Sequence, residues 1–167
     1  ADVATSWALE METIILGWYV LVETRSVFML TAFASLLYVG TLLSPMFGVA
    51  GDRIGQRALL IIMRSVYAVC ATVLMASALL GLLTPAVVLG VTLVVGLVRP
   101  SDIGMRLALV GNTLPHNQLI GAAGIQRTTM ESARIAGALT GAGLVTMLGI
   151  GQAYVVVVLF YLVSIVL

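Results

Sequence analysis

Lysine is absent from this chain, and charge of either sign is scarce. Charged residues make up 9% of the 167 positions, and hydrophobic residues make up 61%. Soluble domains carry roughly 25% charged and about 45–50% apolar residues. Too little polar side chain is present to cover a water-exposed surface, so the composition is that of an integral membrane protein. The net charge of +1 gives no signal for nucleic acid. Cys70 is the single cysteine and lies in an apolar run, which excludes a disulfide framework and a cysteine metal site. The methionines are scattered (Met29, Met46, Met63, Met75, Met105, Met130 and Met147 among them), so no methionine path for a metal is visible. Nucleotide motifs, metal-ligand spacings and nucleophile constellations are all missing. The sequence therefore gives no reason to expect an enzyme, a metal or a cofactor.

What the chain does have is long apolar runs. A membrane-spanning helix takes about 20 mostly apolar residues. Ser26 to Gly51 is free of charge and makes one span. Ser65 to Val98 is also uncharged but too long for one helix, and "GLLTP" (Gly81 to Pro85) breaks it. Ile135 to Leu167 is broken in the same way by "GIGQ" (Gly149 to Gln152). The expected fold is an all-α membrane protein with six transmembrane helices, at about 3–22, 27–49, 58–82, 86–108, 119–147 and 152–167. The chain opens without Met and closes inside an apolar run, so it reads as a piece of a longer protein. The turns after the first, third and fifth helices hold only Glu23 and Arg25, whereas the other side holds Asp52, Arg53, Arg57, Arg106, Arg127 and the nearby Arg64. The positive-inside rule then puts the 2/3 and 4/5 loops, and the amino terminus, in the cytoplasm.

Small residues recur at helical spacing. Gly40, Ser44 and Gly48 form one stripe and Ala133, Gly137 and Gly141 another. Such stripes let helix backbones approach closely in lipid, so both are expected at packing interfaces.

One short stretch concentrates the scarce charge. "GVAGDRIGQRALL" places Gly48, Asp52, Arg53, Gly55 and Arg57 between the second and third helices. This resembles the 2/3-loop signature of the major facilitator superfamily. "WYVLVETRSVFMLTAFASLLYVGTLLSPMFG" and "RPSDIGMRLALVGNTLPHNQLIGAAGIQRTTMESARIAG" are similar to the drug, macrolide and siderophore exporter branch. The resemblance covers nearly the whole chain as one amino-terminal six-helix half of a twelve-helix carrier. A fifth-helix Gly-Pro-x-x-Gly-Gly pattern of drug/proton exchangers stands here as "GALTGA". It keeps Gly137 and Gly141 but has Ala138 and Ala142, so the proline bend is missing.

The resemblance implies roles for the signature. Asp52 would face the amino-terminal end of a helix in the other half, where the helix dipole is positive. Arg53 and Arg57 would pair with acids on the fourth helix and with lipid phosphates, while Gly48 and Gly55 permit close approach. Together they would latch the cytoplasmic side. The plain alternative is that the arginines only set topology.

Charges inside spans cost about 2.5–3.5 kcal/mol each on insertion scales, so each invites a functional reading. Arg99, Asp102 and Arg106 fall toward the cytoplasmic end of the fourth helix, where Pro100 is expected to bend it. Asp102 either pairs with Arg106 at i, i+4 or joins Arg57 in the latch. Glu131 and Arg134 are an i, i+3 pair, Arg64 is placed to snorkel to the interface, and His116 reads as a loop residue.

Glu10 and Glu12 fall near the middle of the first helix, about 200° apart around its axis. Glu12 shares a stripe with Thr5, Tyr19 and Glu23 and is flanked by Thr13; Glu10 shares its face with Trp7, Ile14 and Gly17. The more polar stripe is expected to face the cavity, which favours Glu12 over Glu10 as the carboxylate that couples transport or holds substrate.

The sequence thus points to a secondary transporter built as two inverted three-helix repeats. It would export a small amphipathic molecule against proton re-entry, with uptake by symport as the alternative within the class. A non-transporting scaffold or sensor is the alternative outside it. The expected partners are membrane lipid, the small-molecule substrate and the carboxy-terminal six-helix half. The expected location is the bacterial inner membrane.

Overall fold

The computed structural model describes residues 2–113 and 119–166; of Gly48, Asp52 and Arg106 only the backbone is described, and His116 lies outside the described residues. Among the described residues are seven α-helices: α1 (Asp2–Thr24), α2 (Val27–Leu36), α3 (Ser44–Ile54), α4 (Gln56–Leu79), α5 (Pro85–Thr113), α6 (Leu119–Leu148) and α7 (Ile150–Val166). A 3-10 turn over Val39–Leu42 lies between α2 and α3. At 23 residues α1 is about 35 Å long, enough to cross a hydrocarbon layer of about 30 Å.

Local chemistry sets the breaks. After α1, Arg25 takes φ 49° and Ser26 caps α2 by accepting the Met29 amide. Thr84 caps α5 in the same way, its hydroxyl accepting the Val87 amide at 3.3 Å. Gly149, at φ 82°, is the single residue between α6 and α7.

The second helix departs from expectation. A continuous helix over 27–49 is replaced by α2, the 3-10 turn and α3, and α3 continues to Ile54. Two causes are visible. Gly40 lies against the backbone of α5, where an added methyl would overlap the Leu97 and Gly96 carbonyls. Pro45, which lacks an N–H, falls in the first turn of α3, the one place where a helix tolerates it. The expected 2/3 loop is likewise shortened. Gly48, Asp52 and Arg53 are helical, Gly55 alone separates α3 from α4, and Arg57 is in the first turn of α4. Gly55 has φ 96° and ψ 133°, a conformation open to a residue without a Cβ.

α1 packs most extensively along α6 and also touches α7, α2 and α5, while α4 packs on α7 and α5. The main core gathers Met11, Ile15, Tyr67, Leu74, Tyr154, Val157 and Tyr161. A smaller cluster of Leu59, Leu60, Met63 and Met105, with Phe47 and Val98 against it, ties α3 and α4 to α5. Outside, large apolar side chains such as Phe28, Leu42 and Met147 are exposed by 76%, 85% and 86%. That surface calls for hydrocarbon rather than water. Two described helical stretches are long and apolar enough to cross a membrane, Arg57–Leu79 and Pro85–Asp102. Val27–Leu42 and Ile150–Ile165 are shorter apolar stretches.

The α2–α5 crossing is reciprocal, because a methyl on Gly96 would overlap the Leu36 carbonyl. Pro100 has no N–H to give the Gly96 carbonyl, and α5 nevertheless runs through it. Gly96→Ala should lower stability by at least about 2 kcal/mol, in the range of overpacking against an unyielding neighbour. Gly90→Ala, with open space at its Cβ, should be neutral or stabilising through helix propensity. Thermal unfolding in detergent checks both, and equal effects at the two sites would contradict the crossing.

Candidate functional site

The site is built around the middle of α1. Gly137 and Gly141 bring α6 against it: an added methyl on Gly137 would stand 2.9 Å from the Trp7 carbonyl, and one on Gly141 3.0 Å from Met11 Cα. Trp7 adds a hydrogen bond from Nε1 to Thr140 Oγ1 at 2.9 Å and stacks on Phe160 of α7 at 5.7 Å.

On one face of α1, Glu10 meets Arg99 of α5. Arg99 Nη2 donates to Glu10 Oε1 at 2.9 Å, and Nη1 donates to Thr13 Oγ1 at 3.0 Å. The Thr13 hydroxyl itself donates to the Leu9 carbonyl, so its lone pairs remain for Arg99. The Arg99 and Glu10 side chains are 12% and 18% exposed, which makes this a largely desolvated ion pair. Arg134 of α6 stands 3.9 Å from Glu10 Oε2 and 3.9 Å from Glu131. Glu10 therefore joins three helices. These groups, with Tyr38 and the buried Asp102, line a cavity of about 260 Å³.

On another face, Glu12 is sealed. It is 4% exposed. Its Oε2 accepts the Tyr161 hydroxyl of α7 at 2.7 Å, and its Oε1 has no hydrogen-bond partner among the described residues. Tyr67 of α4 lies beside Tyr161, ring centroids 5.8 Å apart, and Tyr154 is fully buried on α7.

Within this half, Glu10 lines the cavity of about 260 Å³, whereas Glu12, on the stripe expected to face the cavity, faces α7 and a separate small cavity. The reason lies in how the polar stripe is satisfied. Thr5 hydrogen-bonds Ser164, Glu12 bonds Tyr161, and the Tyr19 hydroxyl donates to the Leu83 carbonyl at 2.8 Å. The stripe is polar because neighbouring helices serve it, and it turns inward.

Arg99, grouped by sequence with Asp102 and Arg106 on the fourth helix, reaches Glu10 on α1. No local pattern announces that partner, 89 residues away in sequence. A count of unmatched embedded charges is the signal that was available. Arg64 does not snorkel either: it is 9% exposed, and its Nη1 donates to the Ser164 carbonyl in the last turns of α7 at 3.1 Å. A cation is favourable at a helix carboxy terminus. Arg53 and Arg57 are exposed at the α3–α4 break. The side chains of Asp52, which the latch invokes, and of Arg106, the alternative partner of Asp102, lie outside the described residues.

Set against known proteins, residues 2–167 match the family described as "Transmembrane secretion effector". The chain belongs to this family, within the major facilitator superfamily. No curated protein matches it. As a member of the secretion effector family it is an integral membrane protein of the transporter class and not an enzyme. Its helical architecture is that of a membrane protein.

Removing either partner of the Arg99–Glu10 pair leaves the other charge desolvated, a loss of about 3–5 kcal/mol for a buried pair. Glu10→Gln and Arg99→Gln should each destabilise the transporter, and the double variant should recover part of the loss. A double-mutant cycle on thermal stability should return a coupling of about 1–3 kcal/mol. Additive losses would mean that the pair does not hold α1 to α5.

Proposed function

We propose that the chain is the amino-terminal six-helix half of an exporter that moves a small amphipathic molecule by alternating access, driven by proton re-entry. The observation that carries this reading is the pair of acids at mid-α1. Glu10 is matched by Arg99 at the wall of a cavity, and Glu12 is sealed from solvent with one hydrogen bond among the described residues. An ionised carboxylate with one hydrogen bond among apolar side chains is costly, whereas a protonated one is far less so. Glu12 is thus suited to load and release a proton as the surroundings change. The cavity of about 260 Å³ is slightly below the usual range of about 300–1,000 Å³ for small-molecule pockets. A facing carboxy-terminal half would complete it.

The contact pattern supports two inverted three-helix units, one of α1 to α4 and one of α5 to α7. Exchanging the units carries the α1–α6 packing onto the α5–α2 packing and the α4–α7 packing onto itself, and all three contacts are present. Both members of the exchanged pair are glycine crossings, Gly137 and Gly141 in one and Gly40 and Gly96 in the other. Arg53 and Arg57, exposed where α3 meets α4, suit a cytoplasmic latch with Asp52 and contact with lipid phosphate. That end is read as the inner face of a bacterial inner membrane, with the amino terminus cytoplasmic.

Two experiments test the proposal. A cysteine at Gln56 should react with impermeant maleimide only from the cytoplasmic side, and one at Thr84 only from outside; the reverse pattern in sealed vesicles would overturn the orientation. Glu12→Gln fixes the shape of the protonated carboxyl. It should reduce gradient-driven transport by about a hundredfold, in the range for loss of a positioned acid–base group. Wild-type transport by this variant would remove Glu12 from coupling.

A further inference from the structure

A second, much smaller cavity lies between α1, α2 and α5, walled by Glu12, Thr13, Thr92 and Arg99 together with apolar side chains that include Leu16 and Phe33. Its volume is about 10 Å³, close to the space that one water molecule needs. Two of its polar groups are more than nine-tenths buried and have no hydrogen-bond partner among the described residues: Glu12 Oε1 and Thr92 Oγ1. Thr92 differs from six other helical threonines of this chain. Thr13, Thr24, Thr31, Thr72, Thr128 and Thr140 each donate to the carbonyl four residues back, the habitual outlet for a helical threonine. The Thr92 hydroxyl has no such bond and lines the cavity instead.

We infer that this cavity binds one ordered water molecule, which bridges Glu12 Oε1, Thr92 Oγ1 and the Arg99 guanidinium and so makes Arg99 common to both acids of α1. The polar partners suit water, which needs two to four of them. Arg99 has five N–H donors, of which one goes to Glu10 and one to Thr13. Its charge at the cavity wall opposes a metal cation there, because like charges at such distances repel strongly in a low-dielectric setting. Glu10 then holds Arg99 directly, and Glu12 holds it through the water. When Glu12 is ionised, the water directs a proton to Oε1 and its oxygen toward Arg99, which draws on the charge that Glu10 holds. When Glu12 is protonated, it donates to the water, and the negative charge that drew on Arg99 through the water is gone. The other ionisable groups around Glu12 are Tyr161 and Tyr154 on α7 and Cys70 on α4, with Tyr67 on α4 beyond Tyr161. Among the described residues, Arg99 is the cation that acts on Glu12.

The inference rests on the reading that Glu12 takes up and releases a proton, and the test separates the two. Infrared spectroscopy of the full-length transporter in lipid gives the Glu12 carboxyl band, identified by its loss in Glu12→Gln. Thr92→Val removes the hydroxyl at nearly constant volume. It should move that band to higher wavenumber and slow its hydrogen–deuterium exchange by about tenfold or more, the factor of a hydrogen bond to a charged group. Thr92→Ser should restore both. Glu10→Gln should shift the band in the wild type and leave it unmoved in Thr92→Val. If Thr92→Val fails to insert, Thr92→Ala gives the same comparison. A band identical in wild type and Thr92→Val overturns the water site while leaving Glu12 as a proton carrier. A Glu12 band missing at every pH sinks both readings. Sodium-dependent change in the band at constant pH would put a cation in the cavity and overturn the bridging water.

Discussion

A guanidinium keeps its charge in a protein, so that of Arg99 has to be met where it lies, within the helix bundle. Glu10 supplies the opposite charge and Thr13 a second acceptor, both from α1. The geometry demands that α5 stand close to the middle of α1 and that α6 bring Arg134 near without displacing Arg99. Glycines on α6 and at the α2–α5 crossing make those approaches possible. The polar wall of the cavity and the three-helix junction at Glu10 both include this pair. Its replacement by apolar residues would be tolerated by packing, as for many buried ion pairs, but would take the ion pair out of the cavity wall.

α1 carries most of this load because its polar groups point in several directions at once. Glu10 serves α5 and α6, Glu12 and Thr5 serve α7, Tyr19 serves the turn before α5, and Trp7 serves α6 and α7. A helix hydrogen-bonded around most of its circumference has little amphipathic contrast. In lipid that arrangement is stable, because α5, α6 and α7 offer partners that hydrocarbon cannot.

How much of this could be read from sequence varies with how local the cause is. The breaks at Gly81 to Pro85 and at Gly149 are written in residues whose backbone preferences need no context. The interruption of the second helix is not. Gly40 and Pro45 were in view, but the distortion arises where Gly40 meets Gly96, 56 positions further on. The same holds at the site. Depth alone marked Glu10 and Glu12 as the acids of interest. Which face each of them takes is not legible from the wheel, because polarity of a stripe reports hydrogen-bonding neighbours as readily as it reports water. Tyr161 and Thr92, in strongly apolar runs, gave no sign of their parts.

The contact between Gly40 and Gly96 is made of backbone on both sides, and backbone has no rotamers to exchange. Such a joint cannot be loosened by repacking, so it behaves as a fulcrum. Arg99 lies three residues beyond Gly96 and Tyr38 two residues before Gly40, within about 5 Å of it along their chains. Groups so near a fulcrum travel least when helices tilt, while the far ends of α5 swing through the widest arc. Under the proposed alternating access, the Arg99 charge would stay almost at rest, and what would change around it is the company that Glu10, Thr13 and Glu12 keep with it.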